Sequence, residues 1–475
     1  MPTKQRPLSA GGSRPSSTRS HGSPRERRLS SVAYASAWPT TFHEGVTVRA
    51  YSPDFRALLR RSPQLPNESS PLLLTPRDVG DCSSFWGATL NVINVLMGVG
   101  VLSLPYSMRV AGLTLGLGLL LGMGIIANLT GHLLGACLAS DARLRSYPDI
   151  VNAAFGLWGR RVVSMICFVE LFIACTMFLI LVTDSLHMLF PAMAPSALLV
   201  IVCACILPST WLLNLAVLST ASLLGVLSSL ALLLLLLNVG LTTPPGELGS
   251  IYRDAPTRWV ADDDAWALSI GLTLVGFAGH AVFPSIYSTM DDPAQYSSVL
   301  NVAYTVIGAV YAAVAVAGYV MYGDATEKEI TLSLLTHNPG GAANAVMWMI
   351  ALNPCTKFAI VLHPIALSLE ELLAPLTHAV SPRTRYLQRC SVRTALALCI
   401  AITALLVPNF VQMTSLLGAV FAMAVVVVIP CACYLKLFYS MLHWSSVLGL
   451  LSLVAISCAL GFVGALAAGR HPSTS

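Results

Sequence analysis

The sequence predicts an all-α protein that crosses a membrane many times. Three observations carry that prediction. Charged residues make up only 10% of the 475-residue chain and hydrophobic residues 55%, whereas soluble domains carry about 25% charged residues. Mean hydropathy is +0.73. Apolar runs recur from Phe85 almost to the C-terminus, long enough to cover a ~30 Å bilayer at ~1.5 Å per helical residue. A soluble enzyme, a nucleic-acid binder or a disordered scaffold would need far more polar surface.

The first 80 residues are of another kind. They hold 12 Lys/Arg against 5 Asp/Glu, a balance of +7, while the remainder is at −2. They are rich in Ser, Pro and Arg and lack the early apolar core of a signal peptide. Glu26, Glu44 and Asp54 interrupt any transit-peptide pattern. Residues 1–80 are therefore expected to be a disordered, basic, cytosolic tail, and residues 81–475 the transmembrane domain. Within the tail, Glu68-Ser69-Ser70-Pro71-Leu72-Leu73 matches the acidic dileucine pattern. It makes Glu68, Leu72 and Leu73 candidates for binding sorting adaptor proteins.

Eleven apolar runs follow, near 85–108, 113–138, 162–187, 196–211, 216–241, 266–290, 299–322, 343–369, 393–411, 414–436 and 444–468. With eleven crossings and the N-terminus in the cytosol, 21 Lys/Arg lie on the cytosolic side and 5 on the other. The positive-inside rule favours that orientation, with the C-terminus lumenal or external. The acidic loop near 242–265 then faces the lumen.

Two runs are interrupted in the same way. The first reads NVINVLMGVGVLSLPYS, with Gly98, Gly100 and Pro105; the sixth reads LTLVGFAGHAVFPSIYS, with Gly276, Gly279, His280 and Pro284. In each, a proline stands five residues after the second glycine. The first and sixth spans would each open a five-helix repeat, and paired breaks at corresponding positions point to a transporter site at the midplane. Unwound backbone in lipid leaves N–H and C=O groups without partners, at several kcal/mol per group. A zwitterionic amino acid can satisfy them, its carboxylate at a half-helix N-terminus and its ammonium at freed carbonyls. The candidate substrate-binding residues are Asn94, Gly98, Val99, Gly100, Gly276, Phe277, Gly279 and His280.

These residues also carry a family likeness. SSFWGATLNVINVLMGVGVLSLPYSMRVAG resembles the first span of the amino acid/auxin permease (AAAP) family, and GHAVFPSIYSTMDDP its sixth. GYVMYGDATEKEITLSL and NPCTKFAIVLHPIALSLEE resemble its seventh loop and eighth span. Together they are similar to the vacuolar amino-acid transporter branch, relatives of the vesicular inhibitory amino-acid transporter. The likeness implies eleven spans in a LeuT-type 5+5 inverted repeat. It also implies proton-coupled transport of neutral amino acids across the membrane of an acidic organelle, vacuolar or lysosomal, with antiport the expected mode. A sodium-coupled plasma-membrane symporter and an amino-acid-sensing receptor without flux are the alternatives.

Ionisable residues inside a bilayer default to functional hypotheses. Lys357, after Asn353-Pro354-Cys355-Thr356, could stand where sodium-coupled relatives of the fold hold their ion. Glu170 could relay protons or pair with Lys357, and His280 could titrate in the sixth-span break. Lys357, Glu170 and His280 are thus the candidate proton-coupling residues. Glu370 and Glu371 are expected in cytosolic water. Most of the twelve cysteines lie in apolar runs without zinc-like spacing, so no metal or cofactor is expected. No P-loop, HExxH or GxSxG occurs, and the chain is not expected to be an enzyme.

Overall fold

The structure, a computed structural model, describes residues 83–211, 223–252, 258–260, 264–373, 382–407 and 409–470. The tail 1–80, with Glu68, Leu72 and Leu73, lies outside the described residues.

The chain is all-α: among the described residues, the bridge between Ser83 and Met290 is the single strand-like pairing. The first span is split into α1 (Phe85–Leu96) and α2 (Leu104–Ala111), joined by a tight 3-10 turn, Val99–Ser103. Then come α3 (Leu113–Ser140), α4 (Tyr147–Leu189), α5 (Pro195–Thr210) and α6 (Leu223–Thr242). The sixth span is split into α7 (Leu268–Leu274) and α8 (Phe283–Thr289). The chain continues through α9 (Tyr296–Tyr322), the short α10 (Ile330–His337), α11 (Gly341–Leu373) and α12 (Pro382–Leu406). It closes with α13 (Phe410–Leu416), a wider-wound stretch Leu417–Val428, α14 (Ile429–Phe438) and α15 (Trp444–Arg470).

Among the described residues seven helices are long and apolar enough to cross a bilayer, and the pair α1–α2, bent by 52°, makes an eighth if it is one span. Three shorter apolar helices occur at Pro195–Thr210, Val226–Thr242 and Ala265–Phe277. A full crossing takes about 20 residues. The second of the three is described only from Leu223, and the third is one half of a broken span. Over the described residues, each apolar run of the sequence overlaps one of these elements.

Two boundaries move for local reasons. The third run extends back to Tyr147, because Ser146 and Asp149 form a reciprocal capping box and Pro148 suits a first turn. Within that helix Gly156 takes a left-handed φ of 73°, so a kink separates Tyr147–Phe155 from the span proper. The ninth run ends early at Leu406. The Asn409 side chain accepts from the Gln412 amide at 3.2 Å and starts α13.

The breaks sit inside the bundle. The helices α1 and α2 pack on α9, α11 packs on α4 and α6, and α7 packs on the Leu417–Val428 stretch. Small residues set the last contact. A Cβ on Gly271 would run into the Ser415 backbone, and one on Gly418 into the Gly271 backbone. Such close approach lets apolar helices associate without a hydrophobic driving force.

Candidate functional site

Each break has the same local cause. At the first, α1 ends at Leu96, Met97 leaves helical geometry with ψ of 78°, and Gly98 is extended at φ −112° and ψ −160°. At the second, the chain tightens at Val275–Phe277 and is extended at Ala278, with ψ of 108°. Pro105 and Pro284 then occupy the first turn of α2 and α8. There a missing N–H costs nothing, because that N–H would have no helical partner. The prolines therefore start the second half-helices rather than cause the breaks.

The two breaks meet. A Cβ on Gly100 would lie 2.9 Å from Gly276 Cα, and one on Gly279 would lie 2.8 Å from Leu96 Cδ2. Below them, Ser83 donates to the Thr289 carbonyl at 2.8 Å and accepts from the Asp291 amide at 3.0 Å. The start of the first span is thereby tied to the end of the sixth.

The carbonyls freed by unwinding have partners. Lys357 on α11 donates from Nζ to the carbonyls of Met97, at 3.1 Å, and Asn94, at 3.4 Å. The ammonium thus faces the negative end of the α1 dipole. Tyr311 on α9 places its hydroxyl 2.7 Å from the Leu96 carbonyl and 3.1 Å from that of Gly276. One proton serves both breaks. Ser103 donates to the Gly100 carbonyl at 3.1 Å. Beneath Lys357, Pro354 has no N–H to give the Ile350 carbonyl one turn earlier.

A small crevice of about 10 Å³, room for about one water, lies beside the first break, lined by Gly98, Val101 and Leu102, by Ser228, Ser229 and Leu232 of α6, and by Ile350 and Asn353 of α11. Of the residues assigned to substrate from sequence, Gly98 alone lines it. The others divide by position. Gly100, Gly276 and Gly279 form the contact between the breaks, Val99 begins the 3-10 turn, and the Asn94 carbonyl takes the Lys357 bond. Phe277 is buried, stacked on Tyr304 at 6.1 Å and tilted against Tyr311 at 5.5 Å.

His280 is fully buried and turned toward α3. Its Nε2 lies 3.1 Å from the Ala127 carbonyl and 3.0 Å from Thr130 Oγ1, and its ring lies against Phe283. A carbonyl can only accept, so Nε2 carries a proton. Glu170 lies midway along α4. Among the described residues no ion pair joins it to Lys357, so that expected pairing does not form. Glu370 does not stand in open water as expected. It accepts from buried Arg393 at 2.9 Å and pairs with Arg389 at 3.4 Å, while Arg393 also donates to the Thr210 carbonyl at 2.8 Å. This clamp joins the ends of α5 and α11 to the middle of α12. Among the described residues no group of three or more His, Cys, Asp or Glu could hold a metal ion.

The family model described as transmembrane amino acid transporter protein matches residues 81–469. Amino acid transporter AVT1B of Arabidopsis thaliana is 36% identical over 385 residues, covering 78% of this chain and 68% of its own. AVT1H of the same plant is 32% identical over 389 residues, covering 80% and 88%. The vesicular inhibitory amino acid transporter of Xenopus tropicalis is 26% identical over 411 residues, covering 80% and 76%. Among solved structures, a substrate-bound, outward-open Na+-coupled sialic acid symporter shares the fold, with a TM-score of 0.50 at 16% identity over 81% of this chain and 88% of that one.

Proposed function

This chain belongs to the transmembrane amino acid transporter (AAAP) family, and from that premise we propose that it moves neutral amino acids across an endomembrane, vacuolar or lysosomal, in exchange for protons. The observation that carries the coupling is the Lys357 ammonium on the carbonyls of Asn94 and Met97. Two backbone carbonyls at a helix break are hard oxygen ligands suited to an alkali cation. With a tethered ammonium already on them, a sodium ion would have to displace a like charge. A lysine can instead take up and release a proton without leaving the site.

In this proposal the substrate binds where the two breaks meet. Its carboxylate faces the N–H groups that open α2 and α8, and its ammonium faces the ends of α1 and α7. No fixed side-chain charge other than Lys357 is assigned to this site, which favours a substrate without net charge. Glu170 and His280 are proposed as further stations for the proton. Eleven crossings, ten of them in two inverted five-helix repeats, with an N-terminus in the cytosol and a lumenal C-terminus, are proposed on the charge distribution and the matched breaks. Sorting to the organelle is assigned to Glu68, Leu72 and Leu73 through adaptor proteins.

Reconstitution into vesicles with a panel of labelled amino acids, under pH gradients of either sign and with or without sodium, tests this. Uptake of a neutral amino acid driven by an acidic interior without sodium is the expected result. Strict dependence on sodium would support a sodium symporter instead. Binding without counterflow would make the chain a receptor.

A further inference from the structure

A second ionisable site lies away from the breaks, where α10 begins. We propose that Glu329 is a lumen-facing proton-binding site, and that its protonated form holds α10 down over the first-span break. Its placement on the lumenal side rests on the orientation proposed above.

Glu329 is 0% exposed, and neither carboxyl oxygen has a hydrogen-bond partner. It stands at the N-cap position of α10, yet its side chain makes no capping bond. Thr331 Oγ1, two residues on, is buried and likewise without a partner. A carboxyl buried in this way is tolerated as the neutral acid and penalised as the anion. The helix it starts packs on the Val99–Ser103 turn, on α4 and on the first half of α11. Whatever seats or lifts α10 therefore acts on the turn that joins the halves of the first span. The loop before α10 is anchored elsewhere: Arg109, at the end of α2, donates to the Thr326 carbonyl at 2.7 Å, and Ser333 accepts from the Glu327 amide at 2.8 Å.

The charged surroundings are few. Asp184 of α4 faces the site, with His187 acting on Asp184 from the same helix. The loop supplies neighbouring Lys328 and exposed Glu327, and His337 closes the far end of α10. The Val99–Ser103 turn and residues 341–353 carry no titratable side chain. Burial pushes the Glu329 carboxyl well above the ordinary carboxylate range, the Asp184 charge adds to this, and Lys328 opposes it. The sign follows. The seated arrangement is fully favoured below the ordinary glutamate value, about 4.3. That favour is lost as pH rises through the raised value. An acidic lumen keeps α10 seated, and a neutral one releases it.

Amide hydrogen exchange of residues 330–337 in the full-length protein in nanodiscs, corrected for intrinsic rate, tests the proposal without substrate. Protection at pH 5 should exceed that at pH 7.5 at least tenfold. Glu329→Gln should keep high protection at both values. Asp184→Asn should move the midpoint to lower pH, and Lys328→Ala to higher pH. Equal protection of the wild-type helix at the two pH values would overturn the proposal even if Glu329→Gln failed to fold, and so would a pH response surviving intact in Glu329→Gln. Because exchange needs no flux, failure of the transport reading would leave this result standing. Varying the pH on one side of oriented vesicles then reports the face: a response to cytosolic pH alone would overturn the lumenal placement.

Discussion

Gly100 and Gly276 touch backbone to backbone: a Cβ added to Gly100 would lie 2.9 Å from Gly276 Cα and 3.1 Å from Gly276 N. Neither atom is the end of a flexible side chain, so neither can swing aside. Gly100→Ala must push the first-span break away from the sixth, at a cost of about 1–3 kcal/mol. Transport should fall at least tenfold while the protein still reaches the membrane. Gly118→Ala and Gly122→Ala meet nothing within 4 Å and should transport like wild type. Counterflow in vesicles compares the three.

Tyr311→Phe keeps the ring beside Phe277 and removes the proton shared by the Leu96 and Gly276 carbonyls. The Leu96 carbonyl keeps the Gly98 amide at 2.7 Å, so the cost is that of one buried acceptor, Gly276, left unsatisfied, about 1–3 kcal/mol. The variant should melt several degrees lower in detergent and bind substrate more weakly. A melting temperature and affinity equal to wild type would show that the hydroxyl does not hold the breaks.

Arg393→Ala strips the buried partner from Glu370 and the donor from the Thr210 carbonyl. Removing one member of a buried pair costs about 3–5 kcal/mol. The loss is moderated here because Arg389 remains near Glu370. Expression and thermal stability should both drop sharply. Glu370→Gln, which leaves a hydrogen-bonding group, should be milder.

How much of this was legible in the sequence depends on the range of the interaction. The breaks at Gly98–Pro105 and Gly276–Pro284 were visible because glycine and proline act on their own backbone. Lys357 stood out because a charge in an apolar run is rare. Tyr311 did not, since a tyrosine in a span usually reads as packing. Its role depends on Leu96 and Gly276 being carried to it from two other spans. The Arg393–Glu370 clamp was missed for the same reason: Glu370 closes α11 and Arg393 opens an apolar run, places where water is the ordinary expectation. Glu329 looked like one more acid in a polar loop, and only the packing of α10 removes it from solvent. The start of α4 at Tyr147 was hidden because a run of apolar residues marks the span and not the helix around it.

The central claim is that Lys357, seated on the carbonyls of Asn94 and Met97, stands in for a coupling cation. The most direct measurement is concentrative uptake of a labelled neutral amino acid by vesicles with an acidic interior and no sodium, wild type against Lys357→Met. The account predicts that the variant still exchanges amino acid in counterflow but loses at least tenfold of the accumulation driven by the pH gradient. Accumulation equal to wild type in Lys357→Met, with the same dependence on the gradient, would contradict it.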